Sequence, residues 1–335
     1  MILISRLDPD EYDAPADREV APERSPGPRV AAAAAELDRV AAAATEADGA
    51  APLDEATWLR LRHRGLSGGA LWLATDPDVV GFALADAAPT GPETDVEVNL
   101  VVHPAARGRG VGRALATRVL DAFDASSPGD RVGSAWSHGN HPAAARLADT
   151  LGFDRVRDLW VMRRRTDNRP LPEVTMPAGV DVRPFEPGRD EDAFLAVNAE
   201  AFAHHPEQGG MRRADLDERM AEPWFDPAGF FLATDETGRL LGYHWTKVHP
   251  APAGDGAGVG EVYVVGIAPH AQGMGLGRAL TLTGLHHLRD RGLTEVLLYV
   301  EADSAPAVAV YSRLGFTHAA PDTHVMYRRR VTGRP

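Results

Sequence analysis

The chain has 335 residues, enough for two domains that each bury a core of their own. Its formal net charge of −13 argues against a nucleic-acid partner, because binding phosphates along a strand requires a basic surface. The sequence contains no cysteine, which excludes disulfides, thiolate metal sites and a cysteine nucleophile. No apolar run reaches the roughly 18 residues of a membrane span, and the N-terminus lacks a signal-peptide core, so we expect a cytoplasmic protein with no membrane partner.

Composition divides the chain into four segments. Residues 1–28 are rich in Pro, Asp and Glu without periodicity, which predicts a mobile tail. Residues 29–165 and 179–330 each mix strand-like and helix-like patterns, which predicts two α/β domains. Residues 166–178 are Pro-rich and polar, as is typical of a linker.

The two predicted domains have similar orders of elements. In the first, the patterns predict four helices: one over 29–47, one that begins at 52, one that follows the loop at 103–113 and ends near 123, and one over 142–151. They predict strands over 70–75, 79–85, 95–102, 131–136 and 159–165. In the second, they predict strands over 181–185, 229–234, 240–248, 261–268, 295–301 and 324–330, and helices over 191–203, 214–220 and 306–314. A further helix is predicted to begin after Gly277 and to run to about Arg291.

A glycine-rich loop between a strand and a helix is the most informative stretch of the second domain. Residues 261–278 begin as an apolar strand, turn at Pro269 and pass through Gln272-Gly273-Met274-Gly275-Leu276-Gly277 into a helix. A helix N-terminus attracts anions through its free N–H groups and its dipole, and glycines let the backbone come close to the anion. The stretch therefore predicts a phosphate-binding loop.

The same pattern occurs in the first domain. Arg107-x-x-Gly110-x-Gly112 lies 165 positions before Gln272-x-x-Gly275-x-Gly277, and Leu151-Gly152-Phe153 lies 163 positions before Leu314-Gly315-Phe316. Two separate motifs at nearly one offset indicate an internal duplication.

The loops lack the lysine and Ser/Thr of a nucleoside-triphosphate loop, and no later acidic residue suits a ribose-binding Rossmann unit. The order of elements, with [Q/R]-x-x-G-x-G after a strand and LGF after a later helix, resembles the GNAT superfamily of acetyl-CoA-dependent N-acetyltransferases. The resemblance implies two tandem domains, each with a mixed, mostly antiparallel sheet flanked by helices (an α+β arrangement), and acetyl-CoA as co-substrate without a metal. The residues that it implies for coenzyme A are Leu100, Val101, Val102, Arg107, Gly108, Arg109, Gly110, Val111, Gly112, Arg113, Val265, Gly266, Ile267, Gln272, Gly273, Met274, Gly275, Leu276, Gly277, Arg278, Ser304, Ala305, Pro306, Ala307, Val308 and Ala309.

Several stretches are similar to one tandem-domain branch of the superfamily, among them GYHWTKVH at 242–249 and EVYVVGIAP at 261–269. This resemblance implies a substrate that is the free amine of a cysteinyl-glucosaminyl-inositol. The substrate contacts that it implies are Glu55, Glu207, Lys247, Glu261 and Tyr299. Another amine, such as an aminoglycoside or a protein N-terminus, is the first alternative, and a non-catalytic acetyl-CoA-binding sensor is the second. The fused copies favour a monomer.

Acetyl transfer to an amine requires a base for the amine proton and an acid for the leaving thiolate. Glu261 lies on the predicted central strand, eight residues before Pro269, and strand alternation places it on one face with Tyr263 and Val265. We predict Glu261 as the general base, acting through a water molecule. Tyr311, one helical turn before Gly315, is predicted as the general acid, as the resemblance implies.

The first domain lacks these features. Ala148 occupies the position that corresponds to Tyr311, four residues before Gly152. Glu97 lies seven residues before Pro104 instead of eight, which places it on the other sheet face unless a bulge compensates. We therefore predict that the first domain does not catalyse, whether or not it holds acetyl-CoA.

Most of these residues also have an ordinary structural interpretation. Tyr299 follows two leucines on a strand and could pack in the core, whereas Lys247 and Glu207 could be solvated surface charges. Glu55 could serve as a first-turn helix charge, since the dipole favours it there. Asp303 and Ser304 precede a helix and suit N-caps. Two further pairs of side chains add no site: His204 and His205 point in different directions and make a poor metal pair, and Trp224 and Trp245 suit the core or a cleft wall.

Overall fold

The computed structural model describes residues 2–7, 28–66, 69–90, 93–125, 131–166, 170–204, 206–251 and 258–331. The chain forms two compact units, of which the first comprises Met1–Leu159 with Ala320–Pro335 and the second Trp160–Ala319. The predicted domain limits differ from this division, because residues 160–165 belong to the second unit and residues 320–330 to the first.

The described strands and helices follow the duplicated order. The strands are β1 (Leu3–Leu7), β2 (Gly69–Thr75), β3 (Val79–Thr90), β4 (Glu93–Val102), β5 (Arg131–Ser137), β6 (Asp154–Arg165), β7 (Val180–Pro184), β8 (Phe230–Asp235), β9 (Leu240–His249), β10 (Val259–Ile267), β11 (Glu295–Glu301) and β12 (Thr317–Val331). The helices are α1 (Pro28–Asp48), α2 (Glu55–Arg64), α3 (Val111–Ala125), α4 (Pro142–Thr150), α5 (Glu191–Ala201), α6 (Pro206–Gly209), α7 (Arg213–Met220), α8 (Leu276–Asp290) and α9 (Ala305–Arg313). The sequence patterns did not predict β1 or α6, and β3, β6 and β12 are longer than predicted.

The sheet of the first unit has the order β1-β2-β3-β4-β5-β12. The pairs along β1 to β4 are antiparallel, β4 and β5 are parallel, and residues 325–331 of β12 pair antiparallel with β5. The sheet is therefore mixed and mostly antiparallel, as predicted. Two apolar clusters form its core: Leu115 of α3 packs with Val98, and Leu37 and Val40 of α1 pack with Phe82.

The expectation of a tail without regular structure is wrong for residues 3–7. These residues form β1, which pairs with β2 from Leu3 opposite Thr75 to Leu7 opposite Leu71. The physical reason is the alternation of the first residues, because Ile2 and Ile4 pack against the core of the first unit. Residues 8–27 of the predicted tail lie outside the described part of the chain.

The sheet of the second unit has the order β6-β11-β10-β9-β8-β7. One core cluster is aromatic: Phe230 stacks on Phe185 and on Trp245 at 4.5 Å between ring centroids, and the edge of Phe194 meets the Phe230 ring. The second cluster packs the leucines of α8 against β10 and β11. These two clusters hold β10, which carries the predicted base, in the middle of the unit.

No helix in the described residues has the length and apolarity that crossing a membrane requires. The predicted linker has no helix or strand over residues 170–177. Its Leu171 and Met176 pack against the core clusters of the second unit, so this part of the segment is attached to that unit.

Candidate active site

A bulge interrupts β10 directly after the predicted base. Glu261 pairs with Lys247 of β9 and Val262 with Thr246, but the next pair joins Val264 to Trp245, so that Tyr263 is an extra residue. A bulge of this kind breaks the alternation of side chains and bends the strand. The predicted common face of Glu261, Tyr263 and Val265 is therefore wrong at Val265, which packs in a different cluster from Tyr263.

The bulge lies where β10 and β11 stop pairing. Their parallel ladder joins Gly260, Glu261 and Val262 to Val296, Leu297 and Leu298. The rest of β10 pairs with β9 alone among the described residues, up to Ile267 opposite Gly242. The main-chain groups of residues 263–267 that face away from β9 can therefore hydrogen-bond an extended ligand, as an added strand would.

Glu261 is buried, with 4% of its surface exposed. Its carboxylate accepts a hydrogen bond from Nε2 of His249, at 2.5 Å between Nε2 and Oε2. The imidazole of His249 is much more open, with 39% of its side chain exposed. A buried carboxylate with one oxygen held by a half-exposed histidine can accept a proton at its other oxygen.

Lys247, opposite Glu261 on β9, is buried as well, contrary to the solvated alternative. Its ammonium nitrogen lies 4.4 Å from the ring centroid of Trp224 and 5.2 Å from that of Tyr263. Cation–π contact at these distances holds a desolvated ammonium in place. The Tyr263 hydroxyl accepts a hydrogen bond of 3.0 Å from Nε of Arg219, which fixes the bulged side chain.

Tyr311 lies on the last turn of α9, as predicted, and its ring meets the edge of Phe316. The Phe316 amide donates to the Tyr311 carbonyl oxygen at 3.1 Å, which ends the helix at the LGF motif. Burial raises the pKa of the Tyr311 hydroxyl above its ordinary value of 10, so the hydroxyl remains protonated at neutral pH. A protonated phenol is the form that a general acid requires.

The first unit has the same helix end without the hydroxyl. The Phe153 amide donates to the carbonyl oxygen of Ala148 at 2.9 Å, which repeats the bond between Phe316 and Tyr311. The structural correspondence of Ala148 with Tyr311 is therefore confirmed. Ala148 is buried and offers only a methyl group.

The position of Glu97 corrects the sequence alignment. β3 and β4 pair without a register shift, and Glu97 stands opposite Asp86. Glu97 is also the last residue of β4 in the described parallel ladder with β5. Val102 and Ile267 are the last paired residues of β4 and β10, opposite Gly81 and Gly242. Counted back along the ladder from these two residues, Glu97 and Glu261 occupy the same position. The second copy has one residue more in this interval, and that residue is the bulged Tyr263. The inference that Glu97 lies on the other sheet face is therefore wrong.

The residues around Glu97 differ from those around Glu261. Where the second unit has Lys247 and His249, the corresponding ladder positions of the first unit carry Asp86 and Ala88. Glu97 accepts a hydrogen bond of 3.1 Å from the Asn99 amide instead. The first unit thus retains the carboxylate but has neither the paired ammonium nor the imidazole.

The glycine loops of the two units share their backbone conformation. Gly108, Gly110, Gly273 and Gly275 have φ between 74° and 83°, the left-handed region that glycine favours. An added Cβ would meet nothing within 4 Å at any of the four, so the backbone conformation and open space in front of the loop explain these glycines. Gly275 is the N-cap of α8 and turns its first N–H groups toward that space.

The first unit contains a cavity of about 350 Å³ beside its glycine loop. Mostly apolar side chains of β4, α3 and α4 line it, Ala148 among them. At the loop, Arg107 makes two hydrogen bonds, of 2.6 and 2.7 Å, to the carboxylate of Asp48. The predicted coenzyme-A residues of the first domain that line this cavity are Leu100, Val101, Val102, Arg107, Gly108, Gly110, Val111, Gly112 and Arg113.

The remaining predicted residues differ in their surroundings. Tyr299 is 43% exposed, which is contrary to the core alternative. Glu55 is the first residue of α2 in the first unit, directly after the N-cap Asp54, whose side chain accepts from the Thr57 amide. Ser304 is the N-cap residue of α9, although its side chain makes no capping hydrogen bond. The side chain of Glu207 lies outside the described part of the chain.

Comparison with protein families now gives the evolutionary context of these features. The model of the "Acetyltransferase (GNAT) family" matches residues 34–153 and 196–316, which are more than half of the chain. The chain is 56% identical over 291 residues to the "Mycothiol acetyltransferase" of Nocardioides sp. (strain ATCC BAA-499 / JS614), covering 84% of this chain and 92% of that protein. It is 52% identical over 283 residues to that of Thermobispora bispora, covering 84% and 91%. The chain belongs to the GNAT family of acetyltransferases, in the branch whose curated members are named mycothiol acetyltransferase.

Solved structures support the tandem GNAT fold. A "Tandem GNAT protein from the clavulanic acid biosynthesis pathway" superposes with a TM-score of 0.69 at 20% identity, covering all of this chain and 99% of that one. A GCN5-related N-acetyltransferase from Sphaerobacter thermophilus superposes with a TM-score of 0.60 at 27% identity, covering 90% and 92%. The protein is therefore an acetyltransferase with two GNAT domains, and enzymes of this family use acetyl-CoA as co-substrate.

Reasoning from the sequence missed two features of this GNAT site. His249 belongs to the stretch GYHWTKVH, but the sequence patterns predicted no role for it, because nothing in the sequence pairs it with Glu261. The bulge at Tyr263 was considered only as a possible correction to the first copy, whereas it lies in the second. The one-residue difference in spacing between the two copies was the available signal for it.

Proposed function

We propose that the second unit transfers the acetyl group of acetyl-CoA to the free cysteinyl amine of desacetylmycothiol, a cysteinyl-glucosaminyl-inositol, and so forms mycothiol. The observation that carries this proposal is the buried Glu261, placed where β10 and β11 diverge and bonded to His249. The names and the high identity of the relatives, over most of both chains, support the choice of substrate.

Coenzyme A is held along β10 and at the N-terminus of α8 in this proposal. The main chain of Val265, Gly266 and Ile267 bonds the pantetheine arm, and the loop over residues 272–278 binds the pyrophosphate through its N–H groups. Residues 304–309 at the start of α9 complete the contact. The shared glycine conformations and the cavity of the first unit support a second, non-catalytic acetyl-CoA site there.

The reaction proceeds by direct transfer. Glu261 accepts a proton from the amine through a water molecule, and the amine nitrogen attacks the thioester carbonyl carbon. The tetrahedral intermediate then collapses with cleavage of the carbon–sulfur bond, and Tyr311 donates its proton to the departing thiolate. The products are the amide and free coenzyme A, and the proton held by Glu261 returns through solvent to the phenolate.

The remaining predicted contacts bind the substrate. Lys247 and Tyr299 lie on strands that flank the divergence, and Lys247 is fixed by two aromatic rings. Glu55 and Glu207 are proposed to bind the sugar, inositol or ammonium groups. A small-molecule amine and acetyl-CoA are then the only ligands that turnover needs, and a monomer suffices.

The test is a mass-spectrometric assay of the purified protein with acetyl-CoA and desacetylmycothiol. We expect a product heavier by one acetyl group on the cysteinyl nitrogen. An aminoglycoside and a peptide N-terminus serve as competing amines, and a higher kcat/KM on either would overturn the choice of substrate. Acetyl-CoA binding without turnover on any of these amines would favour the sensor instead, but the buried pair of Glu261 and His249 favours an enzyme.

A further inference from the structure

We propose that His249 is a positioning residue for the base Glu261, an inference that rests on the function proposed above. The two side chains lie on neighbouring strands of the second unit, and Nε2 of His249 stands 2.5 Å from Oε2 of Glu261. A carboxylate only accepts hydrogen bonds, so Nε2 carries the hydrogen and donates it. Hydrogen bonds to a charged acceptor are shorter and stronger than those to a neutral one.

The bond determines which of the two carboxylate oxygens is available to accept the proton. Glu261 is 4% exposed, and its Oε2 is engaged by the imidazole. Oε1 is therefore the oxygen left to face the amine or the water that carries its proton. A glutamate that rotates freely would present either oxygen in many orientations, and fixing it lowers the entropy lost on reaching the reactive geometry.

The comparison between the two copies supports a role linked to catalysis. The first unit retains a glutamate at the same ladder position, Glu97, but has Ala88 at the position of His249. A histidine needed only to fill space in the fold would suit both copies. It occurs in the copy that also has Tyr311.

Two charged side chains from neighbouring elements lie near the pair among the described residues. Lys247 lies opposite Glu261 on β9, and Arg219 of α7 bonds Tyr263 beside it. Both residues stay in place in every His249 variant, so a change in the pH profile caused by replacing His249 reports on the pair itself.

The experiment measures kcat, KM and the pH profile of kcat/KM for four single variants and for the double variant of Glu261→Gln with His249→Phe. His249→Phe keeps a ring but removes the donor, whereas His249→Gln keeps an N–H near the position of Nε2. His286→Phe is the matched control, because this histidine of α8 bonds the carbonyl oxygen of Pro172 at 2.8 Å in the same unit and takes no part in the site. Glu261→Gln reports on the base.

We expect His249→Phe to lower kcat about tenfold or more and to leave the KM values nearly unchanged. This loss is smaller than the roughly 10²–10⁴ that general-base catalysis usually contributes, because the base itself remains. The carboxylate loses a bond that favours its charged form, so the acid fall of kcat/KM should move to higher pH. His249→Gln should recover most of kcat, and His286→Phe should behave as the wild type. In the Glu261→Gln background, His249→Phe should cost nothing more, because the two residues act as one unit.

Each contrary result has a distinct meaning. A normal kcat and pH profile in His249→Phe, or a full additional loss in the double variant, overturns the positioning role. A raised KM for the amine at unchanged kcat overturns it as well, and assigns His249 to substrate binding. If Glu261→Gln itself keeps full activity, the failure lies in the proposed base and not in the role of His249 alone.

Discussion

The two units differ by one residue in the strand that carries the glutamate, but this extra residue is not what separates their sites. β4 pairs with β3 from Glu97 to Val102 without a register shift, whereas the pairing of β10 with β9 is interrupted by the bulged Tyr263. The bulge leaves both glutamates at the same ladder position, so the position of the carboxylate does not distinguish the copies. The neighbouring positions do: Lys247, His249 and Tyr311 of the second unit correspond to Asp86, Ala88 and Ala148 of the first.

In this protein the two copies share the carboxylate and differ in the residues around it. A buried carboxylate is costly unless its charge and its hydrogen bonds are compensated. In the second unit the buried Glu261 accepts a hydrogen bond from His249, whereas the partly buried Glu97 of the first unit accepts one from Asn99. The half-exposed imidazole of His249 places a group that can exchange protons with solvent beside Glu261.

The sharpest test of the comparison replaces the two glutamates in turn. We expect Glu261→Gln to lower kcat/KM by about 10²–10⁴, the usual worth of general acid–base catalysis. Glu97→Gln should leave kcat/KM within a factor of about two, since the first unit lacks the other groups that the reaction requires. Steady-state kinetics with acetyl-CoA and desacetylmycothiol measure both, and equal losses would show that the units share the chemistry.

Replacing the acid should have the next largest effect. We expect Tyr311→Phe to lower kcat about 10²-fold with little change in KM, because the hydroxyl acts only on the leaving thiolate. Burial raises the pKa of Tyr311, so the wild type should keep its activity through mildly alkaline pH and lose it only above pH 10. Adding Ala148→Tyr to the Tyr311→Phe chain should restore nothing, and a recovery of activity would mean that the first unit can catalyse.

Acid should destabilise the second unit through a buried histidine whose ladder position in the first unit is occupied by alanine. His244 of β9 is fully buried, bonds the Leu280 carbonyl oxygen at 2.7 Å through Nδ1, and corresponds in the ladder to Ala83. Burial lowers the pKa of His244 from 6.5 to about 4. As the pH falls, the histidine takes up a proton in the unfolded chain before it does so in the folded one. The free energy of unfolding therefore decreases between pH 6.5 and pH 4, by about 3 kcal/mol in total.

Urea unfolding at pH 7 and at pH 4.5 measures this loss. His244→Asn is the comparison, because its amide still offers a donor to Leu280 but does not titrate. The unfolding free energy of the variant should change less between the two pH values than that of the wild type. An equal change in both would show that His244 does not control the acid sensitivity.

The smallest expected effect concerns the glycine loops. Gly275→Ala and Gly110→Ala place the same methyl group in open space at φ of 82° and 83°, so each costs about 1–2 kcal/mol of backbone strain. We expect Gly275→Ala to raise the KM for acetyl-CoA up to about tenfold, since the loop of the second unit serves the reacting molecule. Gly110→Ala should leave the KM unchanged, and a matching increase would mean that turnover depends on a ligand in the first unit.

Much of the fold could be predicted from local signals. Glycines at matched offsets revealed the duplication, and turn residues with apolar alternation predicted most strands and helices. The early strand β1 was missed because Pro, Asp and Glu dominate residues 8–28, and five residues at its edge are a weak pattern beside them. The sequence patterns also did not predict that residues 160–165 belong to the second unit and residues 320–330 to the first. Periodicity identifies a strand but carries no information about the strand with which it pairs.

The sequence by itself determined the family, the two glycine loops and the choice of Glu261 and Tyr311 as candidates, because each rests on residue types at fixed spacing. The tertiary structure alone decided that Tyr263 is bulged, that Glu97 and Glu261 are equivalent, and that His249 holds the base. The physical reason is that the position of a side chain on a sheet depends on its partner strand. A bulge or a hydrogen bond between strands exists only once β9 and β10 have paired.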